Sequence, residues 1–251
     1  MGYTEYREKV IKSGKEAFEA VIKGQPEEIT NKTPLMIEYA RHGDNYFNLD
    51  NDKVRFMVVG RAAGRFDEKA DFSVIDYNDI TVDKSIIEYC FDEQHNKDHL
   101  DWIHKPKEER KRYERCLDSK AFYRFAKRVY LRLTNQIEEI EWYKNICHSN
   151  IYKITSTEGG NPDWETKRVQ EEKMIEIMEY EFKHFKPTHI LVIDSETDAH
   201  CWCLENNKNR LRGYASDCGA KIWFSNRPER KSRKRLDEMF DRIDKDFWTT
   251  D

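Results

Sequence analysis

Long apolar runs are missing from this sequence. Its apolar stretches are only a few residues long, and the opening segment MGYTEYREKV has no apolar core of the kind found in secretory signals. We therefore expect neither a membrane-spanning helix nor a signal peptide. The pattern predicts a cytoplasmic protein with no membrane partner.

Cysteine pairs at metal-binding spacing are also missing. No CxxC motif occurs, so the spacing predicts neither a zinc site nor an iron–sulfur cluster, and we expect no metal and no cofactor. Reduced structural thiols are the favoured interpretation of the six cysteines, which are Cys90, Cys116, Cys147, Cys201, Cys203 and Cys218. A metal site at 200–203, HCWC, stays open as the lesser alternative, because neighbours three residues apart share a helix face.

A strong excess of one charge is the third absence. The 44 basic and 48 acidic residues leave a formal net charge of −4, so affinity for nucleic acid requires a local basic patch. Charged residues make up 37% of the chain and aromatic residues 13%, which indicates a charged surface over a bulky core rather than disorder. A chain of 251 residues is long enough for one large domain, and we predict a single domain over 1–251.

The segment 53–66, KVRFMVVGRAAGRF, contains the clearest strand. The apolar residues Val54, Phe56, Met57, Val58 and Val59 are followed at once by Gly60, and Gly64 comes four residues later. We predict a buried strand that ends in a tight turn at Gly60. Ligands of open α/β sheets bind beyond the carboxyl ends of the strands, and glycine lets a ligand approach the main chain. Ordinary packing geometry is the alternative explanation of the two glycines.

The rest of the chain alternates helical and strand patterns. The predicted helices are 4–23, 33–43, most of a charged insertion at about 84–136, 162–186 with Asn161 as its cap, and 197–211. The predicted strands are 54–59, 150–154, 188–194 and 221–224. This order predicts an α/β fold, a three-layer α/β/α sandwich around a central four-stranded parallel sheet.

Four motifs at the predicted strand ends resemble those of the uracil-DNA glycosylase superfamily. Residues 60–64, GRAAG, are similar to that family's GQDPYH or GEAPG motif. Phe72 lies in FSV, a stretch similar to the one that carries the family's base-stacking aromatic residue. Asn150 opens NIYK, which is similar to the family's NVVK or NLYK, and residues 225–228, SNRP, are similar to its HPS motif.

The resemblance covers roughly 54–247 and implies a pocket along the carboxyl edge of the sheet. It implies that Phe72 stacks on a base, Asn150 reads the base edge and Arg227 supports the departing base. The implied pocket residues are Gly60, Arg61, Ala62, Ala63, Gly64, Phe72, Asn150, Ser225, Asn226, Arg227 and Pro228. We expect Arg61, Asn150 and Arg227 to surround one cleft.

The family's catalytic residue types are not matched. Ala62 stands where GQDPYH has its aspartate, Arg61 where GEAPG has its glutamate, and Arg227 where HPS has its histidine. A guanidinium is not a general base at neutral pH and repels a developing oxocarbenium cation, although Arg227 can stabilise an anionic leaving base. Asp67 or Glu68 is an alternative source of the missing carboxylate. Catalytic residues therefore stay unassigned.

A basic run follows the last predicted strand and opens the final helix. It consists of Arg227, Arg230, Lys231, Arg233, Lys234 and Arg235. Positive side chains at a helix N-terminus oppose the helix dipole, and a nearby anion relieves that conflict. Phosphate contacts are therefore predicted for Arg230, Lys231 and Arg233. A solvated charged face is the alternative.

Together these features predict a divergent uracil-DNA glycosylase-like protein. It is expected to bind a nucleobase or nucleic acid at the carboxyl edge of the sheet, with DNA or a nucleotide as its partner. Base excision, which is hydrolysis of an N-glycosidic bond, stays open as an activity. A non-catalytic binding module and a structural protein are the alternatives.

Overall fold

The structure is a computed structural model. It describes residues 1–24, 35–37, 39–49, 53–62, 100, 121–137, 141–156, 162–194, 205–228 and 231–249. The helices are α1 Tyr3–Gly24, α2 Ala121–Leu133, α3 Trp164–Phe185, α4 Glu205–Asp217 and α5 Arg233–Asp241. The strands are β1 Leu35–Ile37, β2 Arg41–His42, β3 Phe56–Ala62, β4 Ile146–Tyr152, β5 Ile154–Ser156, β6 His189–Ile193 and β7 Lys221–Ser225. Short 3₁₀ helices lie at Tyr46–Asn48, Trp142–Asn145 and Lys245–Trp248. The described chain is thus an α/β protein, as predicted.

The main sheet is mixed. Its order is β2-β4-β3-β6-β7, and a separate two-stranded sheet pairs β1 with β5 antiparallel. Strands β3, β6 and β7 are parallel, whereas β2 is antiparallel to β4. The described sheet therefore has one strand more than predicted and is not purely parallel. Strand β3 lies between β4 and β6, so the winding of the chain changes direction at β3.

The three parallel strands are in simple register. Phe56 lies opposite His189 and Val59 opposite Val192, and the next pair of strands continues to Ile193 opposite Ser225. Every residue of β6 is buried. A continuous apolar strand of this kind is typical of a parallel sheet that is covered on both faces.

The chain divides into two compact units, and the first consists of 1–40, 60–95 and 149–184. Helices α1 and α3 belong to it, and each buries one apolar face. The ring of Tyr6 stacks on His184 with the ring centroids 4.3 Å apart, and Lys173 pairs with Glu16 at 2.5 Å. The predicted helices 4–23 and 162–186 are therefore confirmed to within two residues at each end.

The second unit consists of 41–59, 96–148 and 185–251. Helix α2 packs its apolar stripe into the core of this unit, as the sequence pattern predicted, while Phe122 is only partly buried. Buried members of that core from several elements are Phe56, Val58, Phe125, Val129, Trp142, Leu191, Ile193, Met239 and Phe247. The core gives α2 and α5 a common apolar contact.

Two helix predictions need correction. The predicted helix 33–43 is wrong in its described part, because 35–37 and 41–42 are strands that pair with β5 and β4. Partner strands far away in sequence outweighed the local threonine and proline signal for a helix start. Helix α3 begins at Trp164, and the Asp163 carboxylate accepts from the backbone N–H of Thr166 at 2.9 Å. Asp163 therefore caps the helix at a position two residues after the predicted one.

Strand ends also differ from the prediction. Strand β3 continues through Gly60 to Ala62, so the tight turn predicted at Gly60 is wrong. The predicted strand 150–154 is replaced by β4 and β5, with Lys153 between them. Helix α4 ends at Asp217 rather than at 211. The part of the predicted insertion at 84–120, apart from Leu100, lies outside the described residues, as does the predicted loop 67–83.

Candidate functional site

The carboxyl ends of β6 and β7 meet in the second unit. The backbone N–H of Asp194 donates to the carbonyl oxygen of Ser225 at 2.9 Å, and both residues are only 4% exposed. This contact continues the parallel register one residue beyond β6. Asp194 and Ser225 are thus brought together at the predicted edge of the sheet.

The segment after β7 leads directly into α5. Pro228 is buried, and its carbonyl oxygen accepts from the backbone N–H of Lys231 at 3.3 Å. The Ser232 hydroxyl oxygen accepts from the backbone N–H of Arg235 at 3.3 Å and caps α5. On the apolar face Met239 joins the core. The cap and the buried face together fix which side chains of α5 remain at the surface.

A small cavity lies between the exit from β7 and one face of α5. Its volume is about 150 Å³. The lining residues are Asn226, Lys231, Arg235, Glu238, Met239 and Arg242. Arg235, Glu238 and Met239 on α5, together with Arg242 directly after it, follow a helical repeat, so their side chains share one face. The cavity therefore brings two residues of the predicted basic run, Lys231 and Arg235, together with Arg242.

Positive charge dominates this cavity. Lys231, Arg235 and Arg242 face a single carboxylate, that of Glu238. No acidic residue occupies the first turn of α5. Within the described ranges, no carboxylate forms an ion pair with the side chains of Lys231, Arg235 or Arg242. The cavity is thus a surface that favours an anion.

Other predicted site residues belong to the first unit. Asn150 is the fifth residue of β4 and is 4% exposed, so it lies inside a strand rather than opening one. Gly60, Arg61 and Ala62 form the last three residues of β3, and Arg61 is half-buried. The expectation that Arg61, Asn150 and Arg227 share one cleft stays a prediction.

Several predicted site residues lie outside the described residues. These are Ala63, Gly64, Phe72 and Arg230, together with the alternative carboxylates Asp67 and Glu68. Arg233 is described and lies exposed in the first turn of α5. Arg227 follows β7 directly and is half-buried.

A buried ion pair in the first unit was missed by the sequence analysis. Lys153 Nζ donates to both carboxylate oxygens of Glu181 at 2.6 and 2.8 Å and to Ser149 Oγ at 2.7 Å. The Ser149 hydroxyl in turn donates to Glu181 Oε2 at 2.7 Å, and the backbone N–H of Ala40 donates to Oε1 at 2.8 Å. The side chains of Lys153 and Glu181 are both 0% exposed. A signal existed, since Glu181 falls within the apolar stripe of α3 next to Phe182.

No candidate metal centre emerges from the described part of the chain. There, no three histidine, cysteine or acidic side chains come together in a way that could hold an ion. Cys147 is buried and Cys218 is half-buried. The other four cysteines, with the HCWC segment at 200–203, are not among the described residues. No described helix is both long and apolar enough to cross a bilayer.

The fold and the cavity together define an α/β protein with an open mixed sheet and a basic surface after its last strand. Comparison with known proteins adds no relative, because no family model, curated protein or solved structure matches the chain. Function must therefore be argued from the residues themselves.

Proposed function

We propose that this protein binds nucleic acid through the basic surface that follows β7. The observation that carries the proposal is the cavity in which Lys231, Arg235 and Arg242 face one carboxylate. Lysine and arginine contacts to phosphates supply most of the affinity in nucleic-acid complexes. The resemblance to uracil-DNA glycosylases belongs to the same proposal, since it implies binding at the carboxyl edge of the sheet.

The local charge separates this surface from the rest of the chain. The whole sequence is slightly acidic, with a formal net charge of −4. The side chains of Arg233, Lys234 and Arg235 are exposed in the first turn of α5, where they oppose the helix dipole. Phosphate oxygens would relieve both the mutual repulsion of these cations and their conflict with the dipole.

The test is the salt dependence of oligonucleotide binding. We expect the logarithm of the affinity to fall linearly with the logarithm of salt concentration. The variant Lys231→Gln/Arg235→Gln/Arg242→Gln should bind more weakly, and its slope should be flatter by about one unit for each phosphate that it no longer neutralises. Fluorescence anisotropy with a labelled oligonucleotide from low to moderate salt measures both quantities.

A matched variant removes the same charge elsewhere. Lys12→Gln/Lys15→Gln/Lys23→Gln on α1 lowers the net charge equally and should leave the slope unchanged. Surface substitutions of this kind alter stability by roughly 0.5 kcal/mol or less per site, so unfolding does not explain a selective loss. Equal slopes for the parent and the cavity variant would refute the proposal.

Base excision is a second candidate, and Asp194 is the observation in its favour. The residue puts a carboxyl group at the carboxyl end of β6 beside Ser225, where the family-like motifs lack one. A carboxylate there could orient water or stabilise an oxocarbenium-like transition state. The test incubates uracil-containing and damaged oligonucleotides with the protein and detects abasic sites by alkaline cleavage. Cleavage by the parent that Asp194→Asn abolishes supports excision, whereas no abasic sites with any substrate leaves binding alone.

A further inference from the structure

The cavity beside α5 contains one group that a pure phosphate site does not need. Glu238 lines it together with three cationic side chains. A carboxylate next to a bound phosphate repels it, so a cavity that served phosphate alone would be better without this residue. The presence of Glu238 therefore indicates that the ligand carries a second group besides a phosphate.

Glu238 forms no ion pair with its helix neighbours among the described residues. Arg235 precedes it by three residues and Arg242 follows it by four, and ion pairs form readily at these spacings. Neither arginine pairs with Glu238 among the ion pairs of the described residues. All three side chains instead line the same cavity. The cavity therefore presents anion-binding groups and a strong hydrogen-bond acceptor separately.

We propose that the cavity binds a ribose–phosphate unit, with the three cations on the phosphate and Glu238 accepting a hydrogen bond from a ribose hydroxyl. This inference rests on the proposed nucleic-acid binding and adds a preference for RNA over DNA. Carboxylates recognise ribose hydroxyls in nucleotide sites, and the 2′-hydroxyl is the group that distinguishes RNA from DNA. The deoxyribose of DNA offers no donor at that position and leaves only the repulsion.

The size of the cavity agrees with this assignment. Its volume of about 150 Å³ is smaller than the roughly 300 Å³ or more of pockets that enclose a whole small molecule. A phosphate and part of a sugar fit, while the base and the neighbouring nucleotides stay outside. Met239, which is 8% exposed, supplies an apolar floor. A continuous strand can therefore run past the site.

The experiment compares RNA and DNA strands of one base sequence, made of adenine and cytosine only, so that the sugar is the sole difference. Binding is measured by fluorescence anisotropy at fixed salt with the full chain. We expect the parent to bind RNA at least about tenfold more tightly, as for one hydrogen bond to a charged group. A 2′-O-methyl strand, which cannot donate, should lose that advantage.

The variant Glu238→Ala separates recognition of the sugar from general affinity. This variant should abolish the preference for RNA. DNA should bind more tightly because the repulsion between Glu238 and the phosphate disappears, whereas RNA also loses the acceptor for its 2′-hydroxyl. Asp241→Ala, on the same helix but outside the cavity lining, should keep the preference. Displacement of the RNA by adenosine monophosphate but not by its 2′-deoxy form also supports the assignment. It would show that the ribose–phosphate unit in the cavity can come from a free ribonucleotide.

The outcomes distinguish this inference from the proposed function. Equal salt-dependent binding of RNA and DNA by the parent overturns ribose recognition and leaves nucleic-acid binding intact. A preference that survives in Glu238→Ala overturns the role of Glu238. Absence of binding to either strand overturns both proposals together.

Discussion

At the scale of single residues, the pair Lys153 and Glu181 is fully buried and held by several hydrogen bonds. Both side chains are inaccessible to solvent, and every charged oxygen of Glu181 has a donor. Desolvation of two charges costs several kcal/mol, so the pair stabilises the fold only while it is complete. It also ties the end of β4 to α3 within the first unit.

Lys153→Met should destabilise the protein by about 3–5 kcal/mol, because the charge of Glu181 is left buried without a partner. Urea unfolding at neutral pH measures the change. Lys153→Met/Glu181→Gln should recover most of the loss, since glutamine still accepts from the Ala40 N–H without a charge. Lys9→Met breaks the exposed pair of Lys9 with Glu5 and should have no measurable effect. A double variant as unstable as the single one would contradict this account.

Alanine substitutions at two glycines, Gly43 and Gly213, are expected to change the stability in opposite directions. A Cβ atom added at Gly43 would lie 2.3–2.4 Å from the backbone of Lys144, which cannot move aside easily. Gly43→Ala should therefore cost about 1–3 kcal/mol through overpacking. A Cβ atom at Gly213, inside α4, meets nothing within 4 Å, so Gly213→Ala should stabilise by roughly 0.5–1 kcal/mol. Thermal unfolding of the two variants checks the opposite signs, and a shift of the same sign in both would be evidence against this packing.

At the scale of elements, α1 and α3 are joined by a small charged network. Lys173 on α3 pairs with Glu16 on α1 and with Glu176 at 3.0 Å, and the Tyr180 hydroxyl donates to Glu176 at 2.6 Å. Burial alone raises the pKa of Glu176, but the donors Tyr180 and Lys173 outweigh it and hold the pKa below the ordinary value of 4.5. Burial and the same carboxylate raise the pKa of Tyr180 to about 12, so the phenol remains a donor at neutral pH.

This network predicts a pH-dependent part of the stability. Because the pKa of Glu176 is lower in the folded state, its contribution is present above the ordinary value of 4.5 and is lost as the pH falls through the folded pKa. The parent should therefore be more stable than Glu176→Gln at pH 7, and the two should converge in acid. Tyr180→Phe removes one of the donors and should show a smaller pH-dependent difference. Urea unfolding over a pH series measures it, and a constant gap between the parent and Glu176→Gln would rule out the linkage.

At the scale of the whole molecule, charged groups are distributed unevenly between the two units. A formal net charge of −4 conceals a cationic surface on α5 in the second unit and a fully buried ion pair in the first. Each unit is built from segments far apart in sequence, so neither corresponds to one stretch of chain. Composition averages over these differences, which is why it carries no information on the partner.

Elements whose signals are local could be predicted from the sequence. The apolar stripe of α2, the long periodic pattern of α3 and the buried strand β6 all follow from spacing that a few consecutive residues set. The basic run that opens α5 was also readable, because charge is a local property of the sequence. These are the parts of the fold and of the candidate site that were predicted.

The remaining features depend on contacts between segments that are distant in sequence. Residues 35–37 form β1 because they pair with β5, at 154–156. That partner is too distant in sequence for a local pattern to reveal it, and the pairing overrides the local helix signal. Arg242 joined the cavity because the helical repeat and the buried face of α5 orient it there, and Glu181 became buried because Lys153 lies opposite. Such pairings depend on which segments meet in space, and the free energy of a charge or a strand depends on that partner rather than on its neighbours in sequence.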